Sequence, residues 1–205
     1  MSSIFELGLP RSIVAIDEST LQLSFLTGLY SKRMVEIRAA IGEDAGAIAH
    51  VHVESWRTTY AGIVPVVYLA GLSEAERETS WREWLTLDVD VFVAEMDGEV
   101  VGFVGGGSIR EPVDGFDAEL FAIYLLRDAQ RRGIGAALLR RLAGSLKKRG
   151  FRSMVAWVLE DNASGGFYTR SGGVRVASKE MEVGGAMLPV VAYGWTDLGV
   201  VAAGV

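Results

Sequence analysis

An almost unbroken apolar segment, 118–126, constrains the fold of this chain more than any other feature, because a polar turn and an amphipathic helix follow it at once. Its composition predicts a strand that is buried on both faces. After the turn, apolar residues recur at helical spacing over 133–149, and Gly150 provides a stop. A strand of this kind needs a layer on each side, so we expect a sheet covered by helices.

The remaining segments predict a mixed α/β (α+β) fold, with a mostly antiparallel, twisted sheet of about seven strands and helices on both faces. Asp97-Gly98 between two alternating segments is a strong hairpin signal, and Gly105-Gly106-Gly107 predicts a bulge or bend. The predicted strands are 34–40, 89–96, 99–109, 118–126, 153–159, 174–183 and 187–196, and the predicted helices are 43–58, 73–85, 133–149 and 162–171.

The first 33 residues do not share this regular pattern. They contain Pro10 and an apolar stretch, 21–29, without a clear period. A strand-like alternation begins directly after Met34, which we expect to be the effective start of the domain. The expected organisation is an N-terminal extension over 1–33, one domain over 34–197 and a C-terminal tail over 198–205.

Composition excludes several kinds of site. The chain has no cysteine, which excludes disulfides, cysteine-ligated zinc and a cysteine nucleophile. Its two histidines, His50 and His52, leave little for a metal centre or a Ser-His-Asp triad, so no metal is expected. The apolar run 120–126 is far shorter than the roughly 20 residues that cross a bilayer. We therefore expect a cytoplasmic protein with no membrane partner.

Charge is distributed unevenly along the chain. The net charge is −6, which argues against binding of nucleic acid over the whole surface. The window 127–149 nevertheless carries eight basic residues and one acidic residue. Such a patch on an acidic protein indicates a small anionic ligand, and the alternative is a solvated basic helix face.

The turn between the apolar strand and the helix has the chemistry of a pyrophosphate cradle. A helix N-terminus presents unpaired N–H groups, and Gly133 and Gly135 allow close approach of the backbone to a ligand. Arg131 and Arg132 flank the turn. No Gly-Lys-Ser/Thr sequence follows, and only two glycines are present, so neither a P-loop nor a dinucleotide-binding fingerprint fits. The alternative is an ordinary connection between a strand and a helix.

Three segments resemble one family. Gln130-Arg131-Arg132-Gly133-Ile134-Gly135 resembles the Q/R-x-x-G-x-G/A motif of the GNAT superfamily of acetyl-CoA-dependent N-acetyltransferases. The segment 162–173, with Asn162, Phe167-Tyr168 and Gly172-Gly173, resembles that family's N…FY…GG region. The segment 54–65 resembles the first two helices of bacterial members that act on small molecules or proteins. The resemblance covers about 34–196, in the family's order.

The resemblance implies that acetyl-CoA is the co-substrate and that a primary amine attacks it directly in a ternary complex. The pantetheine arm would lie beside the central strand and pair with its main chain, and the N–H groups of the turn would hold the pyrophosphate. The implied binding residues are Tyr124, Leu125, Arg127, Arg131, Arg132, Gly133, Ile134, Gly135, Ala136 and Asn162.

The same resemblance suggests the catalytic groups. Tyr168 would protonate the departing thiolate, and its alternative role is a packed aromatic residue. Glu119 lies eleven residues before Gln130, the spacing of the general base in histone-acetylating relatives. Simple alternation puts it on the same face as Phe121, Ile123 and Leu125, where it could be partly removed from water. The alternatives for the base are Glu54 and water.

The acceptor side is less defined. Glu54, Trp56 and Tyr60, together with Tyr68, would form an aromatic mouth, whereas Trp81 and Trp84 are expected to be core residues. The acceptor is a small-molecule amine or a protein amine: a protein N-terminus, a lysine, an aminoglycoside, a polyamine or an amino acid. A homodimer is compatible with this arrangement. The alternative functions are a non-enzymatic acyl-CoA-binding or regulatory module on the same fold, and a phosphate-binding protein with a parallel sheet.

Overall fold

The computed structural model describes residues 34–204, and the predictions made for 1–33 and for Val205 lie outside this range. The described residues contain seven strands: β1 (Val35–Ala39), β2 (Asp90–Met96), β3 (Glu99–Ser108), β4 (Ala118–Leu125), β5 (Met154–Leu159), β6 (Val174–Val183) and β7 (Ala186–Trp195). They form one sheet in the order β1-β2-β3-β4-β5-β7-β6. Only the β4–β5 pair is parallel, so the predicted mixed, mostly antiparallel sheet of seven strands is confirmed.

Helices cover both faces of this sheet. They are α1 (Ala45–Thr59), α2 (Val66–Ala70), α3 (Glu74–Trp84), α4 (Ile134–Lys148), α5 (Gly165–Arg170) and α6 (Leu198–Ala203). Two buried clusters occupy the opposite faces, because alternate residues of β2 and β4 point to opposite sides. The α4 cluster includes Leu138 and Leu142, and the α1–α3 cluster includes Ile48 and Trp81. Trp81 is therefore a core residue, and Trp84 packs against the same cluster, as predicted.

The first hairpin forms as its turn sequence predicts. Asp97 and Gly98 both have positive φ, 55° and 85°, which is the conformation of a two-residue type I′ turn. β2 and β3 pair directly on either side of this turn. This hairpin brings β3 beside β4, the central strand that carries the site.

β4 and β5 separate after a short stretch of pairing. The register between them covers only Ala118 with Met154 and Glu119 with Val155 in the described chain. The carboxyl half of β4 is therefore paired with β3 on one edge and opens on the other. This opening leads directly to the turn before α4, so the topology places a cleft and a helix N-terminus side by side.

A bulge in β4 changes which residues share a face. Gly105 pairs with Ala122 and Gly106 pairs with Leu120, so Phe121 is the extra residue. A side chain at Gly106 would lie 2.8 Å from the Glu119 carbonyl oxygen, which explains the glycine. The bulge predicted near these glycines is confirmed.

The consequence of this bulge is that simple alternation fails for Glu119. Ile123 lies in the α4 cluster. Phe121 instead packs edge-on against Trp84, with the ring centroids 5.5 Å apart, on the opposite face. Arg110 lies over Phe121 and forms an ion pair with Glu119, so Glu119 also belongs to the α1–α3 face. Of the three residues predicted to share a face with Glu119, Phe121 does so, whereas Ile123 and Leu125 lie in the α4 cluster on the opposite face, and that part of the prediction is wrong.

Two helices were not predicted. α2 is little more than one turn and begins after Pro65. α6 lies where we expected only a tail, and its buried residues Leu198 and Val201 join the α4 cluster. The Asp197 side chain caps it by accepting from the Gly199 N–H at 2.6 Å, and Gly204 ends it with a φ of 76°.

Candidate active site

The turn before α4 has the geometry of an anion-binding site. Gly133 is the N-cap residue, with a φ of 80°, and no side chain of the described residues caps the start of α4 there. The space that a side chain at Gly133 would enter holds no atom within 4 Å. The N–H groups of the first turn of α4 are therefore available to oxygen atoms of a ligand.

This turn is also tied to the open end of β4. The Leu126 N–H donates to the Val101 carbonyl at 2.9 Å, so alternation directs the main chain of Leu125 to the other edge. The Leu125 carbonyl oxygen accepts from the Gln130 side chain at 3.1 Å and from the Ser55 hydroxyl at 3.2 Å. Leu125 is one of the residues whose main chain is predicted to pair with the pantetheine arm, and its carbonyl faces the open edge of β4.

Only part of the basic window lies at this turn. Arg131 and Arg132 are exposed there. Arg149 instead forms ion pairs with Asp88 and Asp90, at 2.7 and 2.8 Å, at the far end of α4. Arg141 stacks over Phe92, with its guanidinium carbon 4.8 Å from the ring centroid. The basic window therefore combines a charged turn with residues that stabilise the helix on the sheet.

Three buried tyrosines meet where β4 and β5 separate, and we call Tyr60, Tyr124 and Tyr168 the tyrosine cluster. None of the three is more than 1% exposed. The Trp56 indole N–H donates to the Tyr124 hydroxyl at 2.8 Å, and Tyr60 and Tyr124 also hydrogen-bond each other. The Asn162 amide donates to the Tyr60 hydroxyl at 3.5 Å.

Burial raises the pKa of all three tyrosines well above the usual 10, and for Tyr60 the neighbouring Tyr124 and Tyr168 add to the rise. The cluster is therefore neutral at ordinary pH. A neutral hydroxyl can donate a proton, which is the property that a general acid needs.

Tyr168 differs from the other two because its hydroxyl is buried without a hydrogen-bond partner among residues 34–204. The nearby Ser164 side chain opposes the rise in the pKa of Tyr168. The ring is held between Phe167 and Tyr193, at centroid distances of 5.1 and 5.2 Å. Buried hydroxyl groups in native proteins are rarely unpartnered, so this hydroxyl is a candidate to donate a hydrogen bond to a bound ligand.

Gly165, the first residue of α5, and Gly173, just before β6, have a packing role that the sequence did not reveal. A side chain at Gly165 would lie 2.9 Å from the Tyr193 hydroxyl, and one at Gly173 would lie 2.9 Å from the Trp195 ring. Both aromatic residues pack against Tyr168. The glycines therefore allow the close contacts that hold Tyr168 in place.

Glu119 is buried and bound to Arg110. The Arg110 guanidinium donates to its two carboxylate oxygens, at 2.6 and 3.1 Å, and the Arg110 backbone N–H donates at 3.2 Å. It lies at the paired end of β4, on the same face as Tyr124. The spacing along a strand puts it roughly 16 Å of backbone from Tyr124.

The residues expected at the acceptor mouth do not form one group. Trp56 and Tyr60 are inside the core, at 1% and 0% exposure, and their rings pack edge-on at 4.8 Å. Glu54 instead forms a partly exposed ion pair with Arg57. Tyr68 is partly buried, and its ring lies 5.9 Å from the ring of the buried Trp56. Asn162 also uses its side-chain oxygen internally, accepting from the Ser164 N–H at 3.0 Å.

Two further polar residues lie behind the tyrosine cluster. His52 stacks on Tyr124 at 4.9 Å and accepts from the Trp81 indole at 3.2 Å, which leaves its proton on the other nitrogen. Burial, with a contribution from Arg77, holds the pKa of His52 well below 6.5. Arg77 is itself 8% exposed. Neither residue stands out in the sequence, because both lie at ordinary positions of amphipathic helices.

Residues 34–204 include no group of three or more histidine or acidic side chains that could hold a metal ion. None of the helices in this range is long and apolar enough to cross a membrane.

Comparison with known proteins identifies the family. The model of the acetyltransferase (GNAT) family matches residues 51–173. The chain is 46% identical over 166 residues to the uncharacterized N-acetyltransferase YuaI of Bacillus subtilis, covering 80% of this chain and 95% of that protein. It is 29% identical over 150 residues to the spermidine N(1)-acetyltransferase of Thermoplasma acidophilum, covering 67% of this chain and 87% of the relative.

A solved structure supports the same conclusion. The crystal structure of an N-acetyltransferase from Staphylococcus aureus Mu50 superposes with a TM-score of 0.64 at 26% identity, covering 80% of this chain and 99% of that one. The seven-stranded sheet, the open β4–β5 edge and the glycine turn before α4 are thus found together with matches in sequence and in fold. The chain therefore belongs to the GNAT family of acetyltransferases.

Proposed function

We propose that this protein transfers an acetyl group from acetyl-CoA to a primary amine by direct attack within a ternary complex. The observation that carries the proposal is the Tyr168 hydroxyl, which is buried and has no hydrogen-bond partner in the part of the chain that the structure describes. It lies near Tyr124, on the half of β4 that is not paired with β5 and that leads into the turn before α4, so a single extended ligand could reach both.

The residues fit acetyl-CoA as this ligand. The N–H groups over 131–136 and the two exposed arginines of the turn match the charge of a pyrophosphate. Gly133 leaves open space where a side chain would otherwise stand. The open edge of β4 offers main-chain groups to an extended amide-containing arm; at Leu125 this group would be the N–H, because the carbonyl oxygen already accepts from Gln130 and Ser55. Tyr124, Arg127 and Asn162 complete the proposed binding residues.

In the proposed reaction, the amine nitrogen forms a bond to the thioester carbonyl carbon and the carbon–sulfur bond then breaks. Tyr168 donates its proton to the departing sulfur, which leaves as a thiol. Because burial raises its pKa, Tyr168 stays protonated at ordinary pH, and a donor is present in every turnover. The nitrogen loses its extra proton to a base.

We propose Glu119 as this base, acting through water, because Arg110 holds it in place on the face of Tyr124. Glu54 is the alternative, and its ion pair with Arg57 lies at the surface. The variants Glu119→Gln and Glu54→Gln provide a matched comparison. We expect Glu119→Gln to lower kcat by about 10²-fold or more and Glu54→Gln to lower it less than threefold. The opposite ranking would assign the base to Glu54.

The proposed transfer is tested by incubating the protein with acetyl-CoA and a panel of primary amines while following thiol release. The panel should include amino acids, spermidine and a peptide with a free N-terminus, because the family shown above does not define the acceptor. We expect amine-dependent thiol release and an acetylated product by mass spectrometry. Tight binding of acetyl-CoA without thiol release for any amine would instead indicate a non-enzymatic acyl-CoA-binding module.

A further inference from the structure

Tyrosine side chains approach the opening between β4 and β5 from both faces of the sheet. Tyr168 belongs to the α4 cluster, whereas Tyr60 and Tyr124 belong to the α1–α3 cluster. Tyr124 and Tyr168 are nevertheless neighbours, because the charge interaction with Tyr124 raises the pKa of Tyr168. The two faces communicate here because β4 and β5, in the described chain, pair only at their first residues. A flat group lying in this opening would therefore have one tyrosine hydroxyl on each side.

The Tyr124 hydroxyl oxygen accepts hydrogen bonds from two directions. The Trp56 indole N–H donates to it at 2.8 Å, and an indole can only donate. Tyr60 is the second donor, because their hydrogen bond lowers the pKa of Tyr124 and raises that of Tyr60. Neither of these two bonds uses the hydrogen of the Tyr124 hydroxyl itself. The two donors therefore fix the oxygen in place and polarise its O–H bond, which makes this hydroxyl a stronger donor.

The surroundings of Tyr124 also favour negative charge beside its hydroxyl. The ring is stacked on His52 at 4.9 Å, and His52 is held in turn by the Trp81 indole at 3.2 Å. Arg77 is only 8% exposed, and its positive charge lowers the pKa of Tyr124, although burial raises that pKa overall. A fixed donor beside a buried cation is the arrangement that stabilises an oxyanion as it develops.

We propose that Tyr124 is a second catalytic residue, whose hydroxyl donates a hydrogen bond to the carbonyl oxygen of the thioester from the α1–α3 face while Tyr168 faces the sulfur from the α4 face. This inference rests on the proposed function and gives the Tyr124 side chain a role in addition to that of its main chain. Trp56 is a positioning residue in this arrangement, because it acts only through the Tyr124 oxygen.

The hydrogen bond from Tyr124 acts in the first half of the reaction. When the amine nitrogen forms its bond to the carbonyl carbon, the electron pair of the C=O double bond moves onto the oxygen. Tyr124 stabilises this oxygen and keeps its own proton. When the C=O bond forms again, the carbon–sulfur bond breaks, and the sulfur takes the proton of Tyr168. The two hydroxyls thus serve the two atoms on which charge develops.

Infrared difference spectra of the full chain with acetyl-CoA, labelled isotopically at the carbonyl carbon, test the proposed contact directly. We expect the carbonyl band of the complex to lie at lower frequency than that of free acetyl-CoA, and Tyr124→Phe should remove most of this shift. Tyr168→Phe should retain the shift, because Tyr168 faces the sulfur. An equal shift in Tyr124→Phe and in the unmodified protein would overturn the inference and assign the polarisation to a main-chain N–H of the open edge.

Single-turnover rates test the catalytic role. Tyr124→Phe should lower the rate of transfer by about 10²–10³-fold, the usual contribution of one oxyanion donor. Its KM for acetyl-CoA should stay within about threefold, because the bond strengthens only as charge develops. Tyr193→Phe is the matched control, since it removes a hydroxyl from the ring that stacks on Tyr168 on the other face. A loss in Tyr124→Phe no larger than that in Tyr193→Phe would contradict the role.

A double variant tests whether Trp56 acts through Tyr124. Trp56→Phe keeps an aromatic ring and removes the N–H donor, so it should reduce both the carbonyl shift and the rate, each by less than Tyr124→Phe does. The variant with both substitutions should have the rate of Tyr124→Phe alone, because residues that act through one contact are not additive. Losses that multiply would overturn the positioning role of Trp56.

A fluorinated tyrosine in place of Tyr124 keeps the inference testable if Tyr124→Phe does not fold. This side chain retains both accepted hydrogen bonds, and its more acidic hydroxyl donates more strongly. The carbonyl band should therefore move further to lower frequency. A band that does not move would overturn the inference.

The spectra require acetyl-CoA but no amine, so they separate this inference from the proposed function. A carbonyl band that depends on Tyr124, without thiol release for any amine, would support the hydrogen bond and remove only the proposed transfer. Thiol release with a rate and a carbonyl band that are both independent of Tyr124 would overturn the inference and leave the transfer intact.

Discussion

At the residue scale, the Tyr168 hydroxyl is the atom on which the proposed chemistry depends most directly. It is enclosed between Phe167 and Tyr193, and none of the described residues forms a hydrogen bond with it. Its position could be predicted from the Phe-Tyr pair that follows Asn162. Its burial could not, because that depends on glycines whose packing role only the three-dimensional contacts show.

Replacing Tyr168 by phenylalanine separates chemistry from packing. Tyr168→Phe removes a hydroxyl that makes no hydrogen bond within the fold, so the melting temperature and the affinity for acetyl-CoA should not change. Turnover should fall by roughly 10²–10⁴-fold, the usual contribution of a general acid. Single-turnover rates are needed, because a slow release step could conceal the loss in kcat.

Tyr193→Phe is the matched control, since Tyr193 stacks on Tyr168 but has no role in the proposed reaction. Its turnover should remain within about twofold of the unmodified protein. If the single-turnover rate of Tyr168→Phe also stays within twofold, the proton comes from another group and Tyr168 is only a packed aromatic residue.

The tyrosine cluster also predicts how stability depends on pH. A tyrosine whose pKa is raised by folding stays neutral in the folded state and ionises near pH 10 in the unfolded chain. The free energy of unfolding should therefore not change through these groups below about pH 10. It should fall above that pH by at most about 1.4 kcal/mol per pH unit for each tyrosine.

Denaturant titrations at pH 8, 10 and 11 measure this loss. Tyr60→Phe should make the decrease smaller, because one buried ionisable group is then absent. An identical decrease in Tyr60→Phe and in the unmodified protein would contradict the prediction and assign the alkaline sensitivity to other groups.

At the scale of elements, the order of strands and helices around β4 could be predicted because periodicity, hairpin turns and glycine stops all agreed. The bulge at Phe121 was the exception that affected the site. The glycines at 105–107 predict its location, but simple alternation does not include its extra residue and therefore groups Glu119 with Ile123 and Leu125. A bulge belongs to a pair of strands, so its effect on register is not contained in either strand alone.

The sequence pattern does not predict α2 or α6, and the reason differs between the two helices. α2 is too short to show a period, and Pro65 before it reads as a break. α6 does carry signals, an Asp197 cap and a terminal Gly204, but its six residues gain their stability from contact with α4. Short helices of this kind depend on tertiary packing that a local pattern does not contain.

The turn before α4 is an element whose proposed role can be tested by charge alone. Gly133→Glu and Gly133→Gln impose the same cost of a positive φ and nearly the same volume. The carboxylate of Gly133→Glu would lie beside the proposed pyrophosphate and repel it. Calorimetry should therefore show a much lower affinity for acetyl-CoA in Gly133→Glu than in Gly133→Gln. Equal affinities would remove the turn from the proposed binding site.

At the scale of the whole molecule, the two buried clusters explain how one sheet can be both stable and open. Each cluster spans several strands and is closed by helices, α4 and α6 on one face and α1 and α3 on the other. Where β4 and β5 separate, the packing of these helices on both faces therefore compensates for the missing hydrogen bonds between the two strands. This arrangement allows a cleft at the centre of the sheet without loss of the core.

The same clusters predict that a chain starting at Met34 folds like the full chain. Among residues 34–204 the first regular element is β1, with Ile37 packed against the α4 cluster, and the helices that cover the two clusters lie between β1 and α6. Removal of 1–33 should shift the melting temperature by no more than a few degrees and leave the affinity for acetyl-CoA unchanged. A chain ending at Trp195 is the contrasting control, because it lacks Leu198 and Val201, which are 1% and 7% exposed. That truncation should destabilise the protein by roughly 3 kcal/mol or more, from the apolar area returned to water. A larger drop in melting temperature on removal of 1–33 than on removal of α6 would show that the extension is part of the folded domain.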